Sequence, residues 1–581
     1  MFRDDRFKGL TKSDLKRDFV AGITVGIVAI PLGMAFAIAS GVAPEYGLYT
    51  TAIAGILVAL LGGSRYQIAG PTGAFIPILL AIVLEYGYEN LLIAGFMAGI
   101  MLVLMGIFKL GQLIKYIPRS VTIGFTAGIA VIIFSGQIGD FLGLEGLERK
   151  EFFHQNMLEI VNNIDTINLY SIAVGIIGLI LLIFIPKFFP RVPVLLVALI
   201  IPTIIVSIFF PNKVATIGSV FGGIPQALPE FKVPHITWDR IILLIKPAFV
   251  IAMLGGIESL LSAVVSDGMT GKRHDSDREL VGQGVANIVT PLFGGIPATG
   301  AIARTATNIK SGAVSPFSGI IQGVFVLAVV LLFAPLASNI PLAAMAPILM
   351  MVAYNMSEYR SFLHILKLKK ADSLVLITTF LLTVFVNLTT AVQFGLLLAG
   401  IMFIKRMSEA LDVEKVIPFT AKKNGKTNTE NYDTICPEIA FYSIDGPLFF
   451  GAADRFETII TRSINQRPKV LILRFKNVPF LDVTGANNLE SLVSDFKKVG
   501  GTTFITEANQ EVMDMLRKSN LISTIGKDNF YRNADEAVDE ALIRIQPTKC
   551  SICSRSGNTA CQVFKQSKEL HTNQSLQQNS S

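Results

Sequence analysis

The chain has 581 residues, of which 51% are hydrophobic and 16% are charged, whereas a soluble domain of ordinary composition carries about 25% charged residues. Residues 1–410 hold 29 Lys or Arg and 23 Asp or Glu, and residues 411–581 hold 21 and 20. The first part is therefore typical of a membrane domain and the second of a soluble domain. This composition excludes a purely soluble enzyme, a nucleic-acid-binding protein and a single-span receptor, and the net charge of +7 does not by itself indicate affinity for DNA.

Apolar segments follow one another between residues 19 and 404, and we predict a polytopic membrane domain, since a spanning helix needs about 20 mostly apolar residues. Several of the segments are too short to span alone. Residues 1–18 lack the apolar region of a cleavable signal peptide. The fourteen predicted segments lie near residues 19–39, 47–62, 73–84, 89–108, 120–139, 168–186, 193–210, 246–266, 280–293, 300–310, 316–336, 342–354, 372–388 and 390–404.

The Lys and Arg residues of the connections predict the orientation of the segments. The short connections at 40–46, 85–88, 337–341 and 388–390 carry none of them. The connections on the other side carry Arg65, Lys109, Lys115, Arg119, Lys187, Arg191, Lys272, Arg273, Arg278, Arg360, Lys367, Lys369 and Lys370, and Lys405 and Arg406 follow the last segment. We therefore predict a multi-pass protein of the plasma membrane, in contact with membrane lipid, with both termini in the cytoplasm.

The third segment of each half of the domain is short and interrupted by Gly and Pro. Residues 70–75 read GPTGAF and residues 294–301 read GGIPATGA. Matched broken segments of this kind indicate a transporter binding site near the middle of the membrane. Two facing helix N-termini would offer free N–H groups and positive dipole ends to an anion. The alternative is that Gly and Pro merely kink packed helices.

Two charged residues fall inside predicted spans, Glu258 and Arg304. A charge in the hydrocarbon costs at least about 2.5–3.5 kcal/mol, so each is a functional candidate. Arg304 can add positive potential beside an anion. Glu258 can be a proton carrier, a cation ligand or the ion-pair partner of Arg304. Ser262 lies one turn after Glu258 and could share its ligand, although a helical Ser often bonds only to its own helix.

The sequence contains no recognisable ATP-binding loop. Residues 424–427 read NGKT, but the earlier glycine that such a loop requires is Thr420. Transport should therefore be secondary and driven by ion gradients. We find no metal cluster and no nucleophile with its base in the spans, so we expect neither an enzyme nor a cofactor.

The soluble part reads as a small α/β domain. Strands are predicted at 439–444 and 447–450 with Asp445-Gly446 as a hairpin turn, and at 470–475 and 502–506. Helices are predicted at 454–464 and from the 480–485 region to about Lys498, with two more after residue 506. We divide the chain into an N-terminal cytoplasmic segment (1–18), a transport domain (19–410), a linker (411–434), the α/β domain (435–545) and a disordered Cys-containing tail (546–581).

Several strings together resemble the SulP sulfate-permease family, kin of prestin and pendrin. Residues 29–37 read AIPLGMAFA, residues 44–49 read PEYGLY, residues 294–305 read GGIPATGAIART, and Asn308 follows. The soluble part resembles a STAS domain, with FLDVTG at 480–485 in place of its Asp-Ser-Ser-Gly-like loop. The resemblance implies a 7+7 inverted repeat in which a core domain rocks against a gate domain, and a homodimer.

The resemblance also implies an anion site between the third and tenth segments. One half of it would be lined by Thr72, Gly73, Ala74 and Phe75, the other by Thr299, Gly300, Ala301 and Ile302, with Pro31 to Phe36 closing the side and Arg304 adjacent. Leu32 stands where sulfate-type members often have Gln, so the anion stays open among sulfate, bicarbonate, chloride-like ions and dicarboxylates.

Departures from the sodium-coupled bicarbonate members of the family favour coupling to a proton. Those members tend to have Asp and Thr where this chain has Glu258 and Ser262, Thr in place of Ile302, and no Arg at 304. We therefore expect H⁺ to be the coupling ion, carried by Glu258. A sodium-coupled symporter using Glu258 and Ser262 is the alternative, as is an anion exchanger or channel with a signalling STAS tail.

Two further candidates lie in the soluble part. Thr484 matches a position that is phosphorylated in soluble STAS relatives, and the alternative is that it caps the following helix. Three cysteines and a histidine of the tail could bind zinc, but their Ser- and Gln-rich surroundings favour a disordered segment with reduced thiols and no metal. These residues are Cys550, Cys553, Cys561 and His571.

Overall fold

The structure is a computed structural model that describes residues 4–112, 117–150, 152–189, 192–368, 370–415, 438–464 and 468–545. The chain divides into two compact units, Met1–Ala399 and Gly400–Ser581. The division falls inside the helix Leu388–Glu409, a little before the predicted change at residue 410. Most of the predicted linker and the whole tail, with Cys550, Cys553, Cys561 and His571, lie outside the described residues.

The first unit is helical, as predicted. Within the described residues, eight helices are long and apolar enough to cross a membrane, and a shorter helix stands at each of the other predicted segments. The helices are α1 (Lys12–Ala39), α2 (Pro44–Leu61), α3 (Ile76–Tyr86), α4 (Tyr88–Ile107), α5 (Arg119–Gly136), α6 (Ile138–Leu142), α7 (Phe153–Asn162), α8 (Leu169–Phe188), α9 (Val194–Phe209), α10 (Ile217–Phe221), α11 (Trp238–Thr270), α12 (Ser276–Leu292), α13 (Ile302–Lys310), α14 (Phe317–Ala337), α15 (Leu342–Met356), α16 (Tyr359–Leu366), α17 (Lys370–Phe385) and α18 (Leu388–Glu409).

These helices form two packed groups. Helices α1 to α4 pack with α11 to α14, and helices α5, α8 and α9 pack with α15 and α17. Helix α18 contacts α5 and α17 where Gly395 lies against Val121 and Thr379. The first group contains both interrupted segments, and we call it the core; the second group we call the gate.

The two interrupted segments of the core pair with each other. Strand β1 (Ala69–Gly70) and strand β2 (Thr299–Gly300) run antiparallel, with Ala69 opposite Gly300 and Gly70 opposite Thr299. Each interrupted segment then continues into a short helix. A 3-10 turn at Gly73–Phe75 leads into α3, and α13 begins two residues after β2. The sequence predicted the two breaks but not this strand pairing, because strands of two residues carry no periodic pattern.

Helix α1 begins earlier than the predicted segment, at Lys12. Thr11 and Asp14 form a capping box at its N-terminus, which starts the helix in charged sequence that a hydropathy window excludes. Asp18 therefore lies within the helix and is fully buried. Its carboxylate accepts hydrogen bonds from the N–H groups of Val314 (2.7 Å) and Ser315 (3.1 Å) and from the Ser315 hydroxyl (2.5 Å).

Glu279 of α12 makes the corresponding contact in the other half of the chain. It is fully buried, and its Oε2 accepts from the N–H groups of Gly63 (2.8 Å) and Ser64 (2.9 Å). Gln283 donates to its Oε1 at 3.0 Å. A buried carboxylate of each half thus holds the connection that leads into, or out of, the interrupted segment of the other half.

The N-terminal segment is held against the same region. Arg6 donates to the carbonyls of Leu60 (2.8 Å) and Ser64 (3.0 Å), and Asp4 pairs with both Arg6 and Arg278. Burial opposes ionisation of Asp4, but the hydrogen bonds from Arg6 and Arg278 hold its pKa well below the usual range. Because the folded-state pKa is depressed, this contribution to stability is present at neutral pH and is lost as the pH falls below the ordinary carboxyl pKa.

The second unit is an α/β fold, as predicted. Its five strands are β3 (Asp412–Lys415), β4 (Ile439–Asp445), β5 (Val470–Asn477), β6 (Thr502–Thr506) and β7 (Phe530–Tyr531), which form one sheet in that order. Strands β4 to β7 are parallel, and β3 is antiparallel to β4. The helices are α19 (Ala453–Ile464), α20 (Val483–Lys498), α21 (Gln510–Lys518), α22 (Leu521–Ile525) and α23 (Ala534–Arg544).

The predicted hairpin at Asp445-Gly446 is wrong. Residues 447–450 contain only a single bridge, between Leu448 and Leu481, and the antiparallel neighbour of β4 is β3. The charged sequence of β3 predicts a linker. It forms a strand nevertheless, because an edge strand needs no alternation of apolar and polar residues.

The expected capping role of Thr484 is also wrong. Asp482 is the N-cap of α20, and its carboxylate accepts from the Gly485 N–H at 2.7 Å. Thr484 is exposed in the first turn of that helix, and its phosphorylation stays a prediction.

We expect Asp18→Ala to destabilise the helical unit by about 2–5 kcal/mol, because it leaves the N–H groups of Val314 and Ser315 and the buried hydroxyl of Ser315 without their acceptor. The thermal unfolding temperature of the purified variant measures this effect. Asp5→Ala, which removes an exposed carboxylate that pairs with Lys8 among the described residues, is the matched control and should leave the temperature unchanged. Equal temperatures for the two variants would contradict the assignment.

Candidate functional site

A cavity of about 300 Å³ lies where the core meets the gate, at the N-termini of α3 and α13. The core supplies Leu32 and Phe36 from α1, residues of the two interrupted segments, and residues of α11. The gate supplies residues of α5 and α15. The described residues that line the cavity are Leu32, Phe36, Thr72, Gly73, Ala74, Phe125, Thr126, Leu254, Glu258, Leu261, Ala301, Ile302, Ala303, Arg304, Val352, Asn355, Met356 and Glu358.

Glu258 joins the two interrupted segments at the cavity wall. Its Oε2 accepts from the hydroxyl of Thr72 at 2.8 Å and from that of Thr299 at 3.0 Å. The two hydroxyl oxygens are 3.2 Å apart. One carboxylate of α11 therefore holds one threonine from each half of the repeat.

Arg304 is the third residue of α13 and is buried, with only 1% of its surface exposed. Its Nη2 donates to the carbonyl of Pro71, in the opposite interrupted segment. Its Nη1 is buried and has no hydrogen-bond partner among the described residues. Within this part of the chain, no ion pair within 4.0 Å joins Arg304 to Glu258, so the simple salt-bridge interpretation of the two charges is not supported.

Glycines allow the close approach of these groups. A Cβ atom at Gly70 would lie 2.6 Å from Nη1 of Arg304, and one at Gly300 would lie 1.9 Å from Nε2 of Gln67. Gln67 donates to the carbonyl of Ser259 at 3.0 Å, and the Ser259 hydroxyl accepts from the Gly300 N–H at 3.0 Å. The strand pair is thereby bonded to α11 next to Glu258.

The side chain of Asn287 fixes the backbone just before β2. The side-chain amide of Asn287 both donates to and accepts from the backbone of Ala298, each at 2.8 Å. These bonds replace the helical bonds that the break removes.

The two helix N-termini at the cavity lack side-chain caps. The first N–H groups of the 3-10 turn at Gly73–Phe75, which leads into α3, and of α13 have no intrahelical acceptor, and both dipoles present their positive ends to the cavity. Together with the free nitrogen of Arg304, these groups make the cavity suited to a small anion. The backbone itself, rather than a set of polar side chains, supplies most of the donors.

The structure brings most of the predicted site residues together. Phe36, Thr72, Gly73, Ala74, Ala301, Ile302, Arg304 and Glu258 all line the cavity. Thr299 and Gly300 lie just behind the lining, in β2. Pro31 is buried within α1, and the Phe75 ring packs behind the wall, where a Cβ of Gly255 would meet it at 3.3 Å.

The hydroxyl of Ser262 is bonded to α13 rather than to Glu258, and a ligand shared by the two residues stays a prediction. The Ser262 hydroxyl donates to that of Thr305 at 3.2 Å, and Thr305 accepts from the Ile68 N–H at 3.0 Å. Ser262 therefore secures α13 and the chain before β1 to α11.

The gate side of the cavity was missed from the sequence. Thr126, Asn355 and Glu358 supply its polar groups, and no motif marks them, since only the packing of α5 and α15 brings them to the site. Glu358 has a left-handed backbone conformation, with φ +41°, but this conformation cannot be read from the sequence.

Residues 15–379 match the Sulfate permease family and residues 429–537 match the STAS domain. The first match covers well over half of the chain. The chain belongs to the sulfate permease family. The fold is similar to that of the solved structure of SLC26A9, with a TM-score of 0.82 over 94% of this chain and 93% of that one. The two sequences are 18% identical, so this similarity shows the fold alone.

Two curated relatives extend over nearly the whole chain. One, from Bacillus subtilis (strain 168), bears the name "Putative sulfate transporter YvdB" and is 52% identical over 533 residues, which are 91% of this chain and 98% of that protein. The other, bicarbonate transporter BicA of a Picosynechococcus species, is 31% identical over 555 residues, or 92% and 96%. Both are named as transporters rather than enzymes, and this member of the family is an anion transporter of the multi-pass membrane type.

We expect Arg304→Ala to weaken anion binding at least about tenfold, because it removes a charged, buried donor from the wall of the cavity. It should also lower the unfolding temperature, since the buried carbonyl of Pro71 loses its donor. Equilibrium binding of radiolabelled sulfate and bicarbonate to the purified protein measures the first effect. Lys310→Ala, which removes an exposed cation at the other end of α13, should bind as the parent does, and an unchanged Kd in Arg304→Ala would refute the role.

Proposed function

We propose that this protein carries a small anion across the membrane by proton-coupled symport, with alternating access of the cavity to the two sides. One observation carries the proposal: a carboxylate, Glu258, shares a cavity wall with an arginine that has a free nitrogen and with two uncapped helix N-termini. The donors suit the anion, and the carboxylate suits the coupling ion.

Charge balance supports a role for a proton on Glu258. When Glu258 is ionised, it offsets the charge of Arg304, and the cavity attracts an anion less strongly. A proton on Glu258 removes this offset, so the anion and the proton favour each other's binding. The loaded core then also carries less uncompensated charge through the low-dielectric interior.

Sodium is the second candidate for the coupling ion. The side-chain oxygens of Thr72, Thr299 and Glu258 lie within about 3 Å of one another. Three such oxygens could supply part of the coordination shell of a sodium ion. Two observations weigh against it: the Ser262 hydroxyl is bonded to Thr305 instead, and the positive charge of Arg304 lines the same cavity.

The substrate class rests on the size of the cavity and on the relatives. A volume of about 300 Å³ suits a small anion, and the relatives are named for sulfate and bicarbonate. We propose a sulfate, bicarbonate or dicarboxylate substrate. By analogy with the family we also propose a homodimer in the plasma membrane, with both termini in the cytoplasm.

We expect Glu258→Gln to abolish proton-driven accumulation of the anion while leaving anion binding intact, because glutamine resembles the protonated carboxyl and cannot release the proton. Uptake into proteoliposomes at fixed membrane potential measures this effect, with an inward pH gradient in sodium-free buffer. Glu85→Gln, which changes an exposed carboxylate at the end of α3, is the control and should accumulate anion as the parent does.

Two outcomes separate the coupling ions. Uptake by the parent that follows the pH gradient without sodium supports the proton. Uptake that requires sodium and ignores the pH gradient would overturn proton coupling and favour the sodium alternative.

A further inference from the structure

A second cavity, of about 390 Å³, lies on the other side of the last turn of α1. The first cavity is lined by Leu32 and Phe36 of α1, and the second by Ile38 and Gly41. Along α1, only residue 37 therefore separates Phe36, which lines the anion cavity, from Ile38, which lines the second cavity. The second cavity is otherwise lined by residues of α5, α6, α7, α10 and α15 and of the connection after α6, including Asp140 and Arg149.

The two cavities face opposite ends of the helical unit. The lining of the anion cavity reaches Glu358, half of whose side chain is exposed, next to Arg119 at the start of α5. Asp140 and Arg149 follow the other end of α5, and we call this the far end. In the present structure the anion cavity thus opens towards the Lys- and Arg-rich end and is closed at the far end by the last turn of α1.

Arg149 fastens this turn to the gate. Its Nη1 donates to the carbonyl of Ile38 at 2.5 Å, and its Nη2 lies 3.5 Å from the carboxylate of Asp140. Asp140 belongs to α6, which packs against α8 and α15 of the gate, and Arg149 belongs to the connection between α6 and α7, so we count both residues with the gate. Ile38 belongs to the core.

Arg149 contacts the backbone near the C-terminus of α1, where a positive charge is stabilising. A helix C-terminus attracts positive charge, and α1 has no basic residue in its last turn. The Arg149 and Asp140 side chains are only 35% and 26% exposed, so water screens the interaction less than it screens an exposed pair. Besides its ion pair with Asp140, Arg149 donates a hydrogen bond to the backbone of α1, which closes the far end of the site.

We propose that Arg149 is the latch of the far end: its bonds to Ile38 and Asp140 hold the anion cavity closed there, and they must break before the cavity opens to that side. The proposal rests on the proposed alternating access, but not on the identity of the anion or of the coupling ion. Phe36 lies two residues before Ile38 and lines the cavity, so release of the latch frees the turn that covers the anion.

Access of a thiol reagent to the cavity tests this proposal in the full-length chain. The four native cysteines are replaced by serine, and Val352, on the gate wall of the cavity, is replaced by cysteine. A membrane-impermeant thiol reagent is added to either side of oriented vesicles, and the rate of modification is measured. The parent should react faster from the Lys- and Arg-rich side.

Arg149→Ala should raise the rate of modification from the far side about tenfold, the effect of losing one charge-assisted hydrogen bond, and should lower the rate from the other side. Lys150→Ala is the matched control, because Lys150 is the next residue and, among the described residues, its ammonium group pairs with Glu148 of its own loop, at 2.5 Å. It should react as the parent does. Arg149→Lys, which keeps the charge, should show a smaller change than Arg149→Ala.

Asp140→Asn provides a second variant should Arg149→Ala fail to give a monodisperse protein; it loosens the arginine without removing it and should shift the rates in the same direction. Unchanged rates in folded Arg149→Ala, or equal shifts in Arg149→Ala and Lys150→Ala, would overturn the latch. These rates are measured with Glu258 in place, and the uptake of Glu258→Gln is measured with Arg149 in place, so failure of the latch and failure of the proposed coupling are distinguishable.

Discussion

The bonds of Glu258 to Thr72 and Thr299 are the interaction on which the rest of the site depends. A carboxylate inside a membrane domain is costly unless hydrogen bonds or a nearby charge compensate it. Here both donors come from interrupted segments, one from each half of the chain. The same bonds that make the charge tolerable therefore also fix the two helix N-termini side by side.

Both interrupted segments and the connections next to them are bonded by groups from the other half of the chain. An interrupted helix leaves backbone N–H and C=O groups without partners, and these must be satisfied inside the protein. Asp18 and Glu279 do this at the connections, Arg304 at Pro71 and Thr305 at Ile68. Because the repairs cross between the halves, the core is bonded into one body, and motion is expected at its boundary with the gate.

The boundary between core and gate has a different character. On the gate side of the cavity Val352 and Met356 accompany the polar Thr126 and Asn355, and no hydrogen bond from these residues to the interrupted segments appears among the described contacts. Surfaces that slide must not be tied by many directional bonds. The few polar links that do cross, such as Arg149 to Ile38, are then the natural points at which one arrangement is held against the other.

The sequence by itself determined the membrane class, the fourteen segments, the two matched breaks, the α/β domain and the charged pair Glu258 and Arg304, because hydropathy, Gly/Pro interruptions and a charge in an apolar run are local signals. It did not determine the pairing of β1 with β2, the strand β3, or the roles of Asp18, Ser262 and Asp482. Those depend on which neighbour a short polar segment meets, and a single side chain's partner is set by tertiary packing alone. The gate side of the cavity, with Thr126, Asn355 and Glu358, was likewise decided only when α5 and α15 packed against the core.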